Sequence, residues 1–529
     1  MSMKRRREFL ADVGRGMLIA AVGPALQGQF GCPVAQADDR RRARIRFGEL
    51  EPLVNLMQET PPDRLLERLI VDHRGPRELE RWTAAAALAN VRAFGGGDYT
   101  GYHAFMALIP AYQMAQRLNG DQRMLPVLKV IYRNSSRIQS QNRSSTDGML
   151  PLGAEHLVHT SGAHGEPEKL RDLIRAREMT GSEAELAALV HDDPKQALDR
   201  LQRAVQDEID VHRVVLAWRS WSMLDLAGLN HAEHLLRQSV RYCVENEVRM
   251  HDRHGTPSPI RTLLPELMDD HRLADHAKAI ETGRSLDTHQ PPGDAWVEAF
   301  ADQIWSGSRE QAARAVASAL AEGIHPEVIG EAISMAANQL VLRDPGRTPE
   351  QSGPGKPPGC VHGDSVGVHA SDAANAWRNI ARVVEPATGY AALIVSAYHT
   401  AGQSAAKSMA APLHDDQAVP ASASSAELVR QLKAAVESSN QHAAVAIAGA
   451  LQHRDVPADQ VFDALLPYAI SEDGALHAEK YYRTAEEEFG ATRPAFRWRQ
   501  LKALARVTAS EYGYPAPGYQ QARELLGLG

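Results

Sequence analysis

Aromatic residues make up only 5% of this 529-residue chain, and cysteine occurs just three times. So few thiols exclude a disulfide-stapled scaffold, and a chain of this length must be held by its core. There is no basic excess either: the net charge is -8, which argues against a protein held on nucleic acid by phosphate contacts. No run of about 18 or more apolar residues occurs after the N-terminus, so no membrane span is expected in the mature protein. Alternating β-branched strands joined by two-residue turns are missing, which disfavours sandwiches and barrels. The usual catalytic spellings are missing too: His-Glu-x-x-His, Cys-x-x-Cys-His, the P-loop and Gly-x-Ser-x-Gly. Gly95-Gly96-Gly97 follows no predicted strand, so it is no dinucleotide fingerprint, and the paired Glu and Glu-x-x-His set of di-iron bundles is not reproduced. Histidine, by contrast, is plentiful: 22 residues, as many as the 9 Phe and 13 Tyr together.

Helical periodicity dominates. Arg309 to Gly323 and Pro326 to Leu342 repeat apolar residues at three- and four-residue spacing, with Gly323 closing the first and Pro326 suited to the first turn of the second. Gln196 to Asp207, Val214 to Leu226, Ala426 to Val436 and Val461 to Ile470 read the same way. The expected class is all-α. Pro- and Gly-rich loops fall at Asp287 to Asp294, Asp344 to Cys360 and Pro412 to Ser425. The first of these, around Pro291-Pro292-Gly293, divides the chain into an N-terminal helical half (38–290) and a C-terminal one (291–529).

Residues 1–37 read as an address. Lys4, Arg5, Arg6 and Arg7 form a basic start, a weakly apolar stretch runs from Val13 to Leu26, and Ala35-Gln36-Ala37 offers a peptidase its small residues. Arg6-Arg7-Glu8-Phe9-Leu10 resembles the twin-arginine (Tat) signal. That resemblance implies the Tat translocase as a partner and a periplasmic or extracellular destination. It also implies transport after folding, commonly with a cofactor already inserted.

The two halves share spellings in the same order. Asp98-Tyr-Thr-Gly101-Tyr-His103-Ala104 matches Asp364-Ser-Val-Gly367-Val-His369-Ala370. His159-Thr160-Ser161-Gly162 matches His399-Thr400-Ala401-Gly402, and His231-Ala232 matches His477-Ala478. Upstream of each Asp-x-x-Gly-x-His-Ala copy lies an Ala-rich helix carrying Asn, Asn90 in one half and Asn338 in the other. We read this as an ancient duplication giving a helical repeat or a pseudo-two-fold bundle.

In Asp-x-x-Gly-x-His-Ala the glycine permits close helix approach, and the imidazole points between helices, where it must find a partner. Asp98 and Asp364, five residues earlier, could accept one ring N–H and aim the other nitrogen, as carboxylates do behind metal-bound histidine. The expectation is that His103, His159, His231, His369, His399 and His477 converge between the halves to hold one or two transition-metal ions. Iron is preferred, then zinc or copper, with haem on two axial histidines as a variant. His231/His234 and His156/His159 each lie three residues apart, and Glu233 is the candidate general acid or base. The bland alternative is that each histidine is separately satisfied between helices. His191-Asp192 and His251-Asp252 faintly match helical phosphohydrolases but read as surface loops. Cys360-Val-His362 reads chiefly as part of a mobile flap.

His369-Ala-Ser-Asp-Ala-Ala-Asn375-Ala376 resembles a stretch in His-rich helical proteins of the questin oxidase-like kind, over a few tens of residues. That resemblance implies oxidative chemistry. The expected function is an exported metal-dependent oxidoreductase acting on a small organic substrate. The rival is a non-catalytic helical-repeat scaffold for another exported protein.

Overall fold

Wherever the apolar residues recur at helical spacing, a helix forms. In the computed structural model, residues 44–528 are described, apart from 73, 76, 142–147, 154–165, 282–291, 362 and 404–421. The architecture is all-α. Among the described residues the only β-pairing is two isolated bridges, Gly353 to Lys356 and Glu472 to Pro515. None of the described helices is long and apolar enough to cross a membrane.

The helices that frame the site are α1 (Glu78–Phe94), α2 (Tyr99–Ala115), α3 (Leu125–Ser140), α4 (Val211–Ser222), α5 (Ala232–Asp252), α6 (Pro326–Leu342), α7 (Val366–Val383), α8 (Pro386–Thr400), α9 (Ala478–Ala491) and α10 (Trp498–Glu511). Local signals set their ends. Pro326 opens α6 at a position where its missing N–H is harmless. Ser308 and Gln311 form a capping box at the start of Arg309–Ala321. The other periodic segments form Pro194–Val205, Ser425–Glu437 and Ala458–Ser471. His191 and His251 lie in the last turns of helices, not in loops, and both are exposed.

Residues Arg46–Gly529 make one compact unit. Helices from either side of residue 291 interleave in it: α2 packs on α9, and α4 packs on α7. The core is unusually rich in alanine, and Ala84 to Ala87 of α1 and Ala332, Ala336 and Ala337 of α6 are all buried. Small side chains bring helix axes close together, which places polar groups of neighbouring helices within bonding distance. Lys129 of α3, for example, is buried against Glu479 of α9 at 2.7 Å and donates to the carbonyl oxygens of Ala469 and Glu472. Cys243 and Cys360 are both buried and are not bridged to each other.

Candidate functional site

Four helix N-termini meet inside the unit, and each brings a histidine. His103 lies in the first turns of α2, His212 is the second residue of α4, His369 lies in the first turn of α7, and His477 immediately precedes α9. The ring centres of His103 and His477 are 5.1 Å apart, and those of His103 and His212 are 4.8 Å apart. His369 lies 5.2 Å from His477 and 5.7 Å from His212. The closest ring nitrogens are Nε2 of His369 and Nε2 of His477, at 3.1 Å.

The motif glycines make this approach possible. A Cβ on Gly367 would sit 2.6 Å from the Val341 nitrogen of α6, and one on Gly101 would sit 2.6 Å from the Phe94 ring of α1. Thus α7 lies directly on the α6 backbone, which sets the depth of His369. His477 is set differently. Gly474, Ala475 and Leu476 are consecutive residues with φ of 49°, 48° and 66°. Left-handed backbone is unfavourable for Ala and Leu and is retained where surrounding structure imposes it, often at functional sites.

Three of the imidazoles have their Nδ1 anchored. His103 Nδ1 donates to the Tyr99 carbonyl at 2.7 Å, and His477 Nδ1 donates to the Ala475 carbonyl at 3.0 Å. His212 Nδ1 meets the Asp210 carboxylate at 3.2 Å. A carbonyl can only accept, so Nδ1 carries the proton and Nε2 keeps its lone pair in His103 and His477. The Nε2 atoms of His103 and His212 are buried and find no hydrogen-bond partner among the described residues. An unmet buried acceptor costs about 1–3 kcal/mol. Burial, followed by the nearby Lys480 charge, holds the His103 imidazole well below its ordinary pKa. Burial and His212 do the same to His369.

Polar and aromatic groups enclose the ring cluster. Asp210 caps α4 and also accepts from the Tyr242 hydroxyl at 2.7 Å and from Asn246 at 3.2 Å. Burial pushes its carboxyl up, but hydrogen bonds and charge from His212, with Tyr242, outweigh it and hold the group ionised. The Tyr99 ring is tilted against that of His103 with centres 4.3 Å apart, Tyr102 lies 5.0 Å from the same ring, and Tyr99 is 39% exposed at the rim. Burial raises both phenols, Tyr99 to about 12. Lys480, one helical turn beyond His477, is only 3% exposed, and burial lowers its amine to about 8. A cavity of about 380 Å³ lies beyond the 474–476 turn, walled by Gly474, Ala475, Lys356, Glu511 and Tyr514.

Of the six expected histidines, His103, His369 and His477 come together. His399, at the end of α8, is buried and pulled to about 3 by burial and Arg309. It lies within electrostatic range of Asp210 and His212 but makes no ring contact with the four. His231 sits elsewhere, against Phe47 and His234, and meets the Asn230 amide at 3.2 Å. His159, like His156 and His362, lies outside the described residues.

The expected carboxylates act differently from the sequence reading. Asp98 does not orient His103. It caps α2 through the Gly101 amide at 2.6 Å and pairs with both Nε and Nη2 of Arg137, because a carboxylate at that position is one residue before the helix and faces its free amides. Asp364 is taken up by Arg347 and Lys356 of the preceding loop, and Ser365 caps α7 in its place. Glu233 pairs with Arg237 at 2.8 Å on α5, with its side chain one-third exposed, so it is not placed to move protons in the cluster.

His212, Asp210, Tyr99, Tyr102 and Lys480 were not singled out in the sequence. His212 lies outside the Asp-x-x-Gly-x-His-Ala, His-Thr-x-Gly and His-Ala spellings. Asp210-Val211-His212 at a helix start and His477-x-x-Lys480 at helical spacing were the available signals.

The ligand fit is partial. Nitrogens bound to one ion at about 2.0–2.1 Å lie about 3.3 Å apart in tetrahedral geometry, close to the His369–His477 spacing. Among the described residues, however, no group of three or more His, Cys, Asp or Glu side chains stands ready to enclose a metal. No protein-family model, curated protein or solved structure matches this chain.

Proposed function

We propose that the four-histidine chamber is the active site of an enzyme for a small organic substrate, and that His103, His212, His369 and His477 hold a transition-metal ion there. The observation that carries this reading is the anchoring of Nδ1 in three of the four rings. It leaves lone pairs on the buried, unmet Nε2 atoms of His103 and His212 beside the His369–His477 pair, with the tautomer and second-sphere support that metal-binding histidines have. Neutral imidazoles suit iron, zinc or copper, and a bound ion of this kind would supply redox or Lewis-acid chemistry. Asp210 would orient His212, Tyr99 and Tyr102 would line the substrate face, and the tyrosine rim would limit access of water. Oxidoreductase chemistry is the form we favour, from the likeness of 369–376 to the questin oxidase-like stretch. We also infer export by the Tat route, from Arg6 to Leu10, and descent of the two halves from one duplicated unit.

The test is metal analysis of the chain purified after cytoplasmic folding, followed by cobalt titration of the metal-free protein. Stoichiometric metal is expected, lost on His103→Ala and on His369→Ala and retained on His231→Ala. Wild type without metal and without cobalt bands overturns the metal reading. A second reading, a metal-free acid–base centre, is favoured by Lys480 and by the convergence of positive helix ends, both of which oppose a cation. The convergence of four imidazoles favours a reactive centre over a scaffold.

A further inference from the structure

We propose that the chamber takes a small organic anion, a carboxylate by class, and that Lys480 is the residue that binds it. The proposal rests on the chamber being the functional centre, not on its holding a metal.

Lys480 is placed by its helix. His477 and Lys480 lie three residues apart on α9, and His369 and Asp372 lie three apart on α7, so each pair shares one face. The two helices pack together with His369 against His477. Lys480 therefore lies one turn deeper than the imidazole pair, and α2 packs on the same α9. It is the foremost charged neighbour of His103.

The nearby carboxylates already have other donors. Asp364 is held by Arg347 and Lys356, and Asp210 by His212, Tyr242 and Asn246. Asp372 accepts from the Thr484 hydroxyl at 2.8 Å, Glu479 pairs with Lys129 at 2.7 Å, and Glu487 pairs with Arg483 at 2.8 Å. Arg219, buried beside Asp372, adds another positive charge to the region. Among the described residues the Lys480 amine closes no ion pair, and Asp372, Glu479 and Asp364 reach it only as longer-range charges. An ammonium taken out of water without a carboxylate in direct contact costs several kcal/mol.

The backbone points the same way. α2, α4, α7 and α9 all direct their N-terminal, positive ends at the chamber. Asp98, Asp210 and Ser365 cap the first three, while α9 has no capping side chain. An anion at this point meets the free amides of α9, the Lys480 amine and the His103 and His369 imidazoles, which burial keeps neutral. A metal on the imidazoles and an ammonium beside them would repel each other. An anion between the two removes that conflict, so this occupant fits either form of the centre.

The probe is acetate, titrated by calorimetry into the metal-free full-length chain, with acetamide as the uncharged control. One acetate per chain is expected, with acetamide bound at least ten-fold more weakly. Lys480→Gln and Lys480→Met should each weaken acetate ten-fold or more while circular dichroism stays that of wild type. Lys480→Arg, which keeps the charge, should recover part of the affinity. No acetate bound by wild type, or equal acetate affinity in wild type and both neutral variants, overturns the proposal. The cobalt titration separates the two readings. A chain that takes acetate but no cobalt keeps the anion site and loses the metal, and the opposite pattern keeps the metal and loses the anion site.

Discussion

Gly367→Ala is the sharpest test of how the chamber is built. The added methyl would lie 2.6 Å from the Val341 nitrogen, 2.7 Å from the Leu340 carbonyl carbon and 2.8 Å from the Val341 Cα. All three are backbone atoms of α6, so no rotamer change relieves them, and α7 must move off by roughly 0.8 Å. Overpacking of this kind costs about 1–3 kcal/mol, and a methyl in place of glycine in a helix returns about 0.5–1. The net expectation is a loss of about 1–2 kcal/mol. Gly490 supplies the control, since it is helical on α9 with nothing within 4 Å of its added Cβ. Gly490→Ala should stabilise by up to about 1 kcal/mol. The same chemical change should therefore shift the calorimetric melting midpoint in opposite directions at the two sites. Because His369 follows two residues after Gly367, acetate or cobalt affinity should fall in Gly367→Ala and hold in Gly490→Ala. A Gly367→Ala chain that melts at or above Gly490→Ala refutes the close-approach argument.

Acid should unfold the protein from near-neutral pH. His399 takes a proton at about 3 when folded and at 6.5 when unfolded, so its stabilising effect is complete above 6.5 and drains as pH falls toward 3. At about 1.36 kcal/mol per pH unit the loss by pH 4 is about 3 kcal/mol, and His399→Gln should flatten urea-midpoint curves between pH 6.5 and 4 by that order. Lys480 has the opposite bearing on neutral stability. Its folded pKa of about 8 lies below 10.5, so the charged amine opposes folding at pH 7 and the opposition fades from 8 to 10.5. Lys480→Met should then raise stability at pH 7 by about 1–3 kcal/mol, and a gain that fails to shrink toward pH 10 counts against a charged, unpaired amine. Glu247 binds Arg213 at 2.9 Å with both side chains at most 2% exposed. Glu247→Ala leaves that guanidinium buried without its carboxylate and should cost about 3–5 kcal/mol, read as a fallen melting midpoint.

What the sequence alone determined is local. Apolar spacing, Pro326, the Ser308–Gln311 box and the two Asp-x-x-Gly-x-His stretches set where helices run and which glycines allow close approach, because these effects act within a few residues. The repeated spellings also singled out His103, His369 and His477, which do converge. Partner choice was decided by tertiary structure. Asp98 turned to its own helix amides and to Arg137 because a carboxylate at a helix start meets free N–H groups before it meets a ring one turn away. His212 and Lys480 became members of the site only when α4 and α9 were laid against α7. Residues separated by hundreds of positions meet through packing, and spacing along the chain carries no record of that.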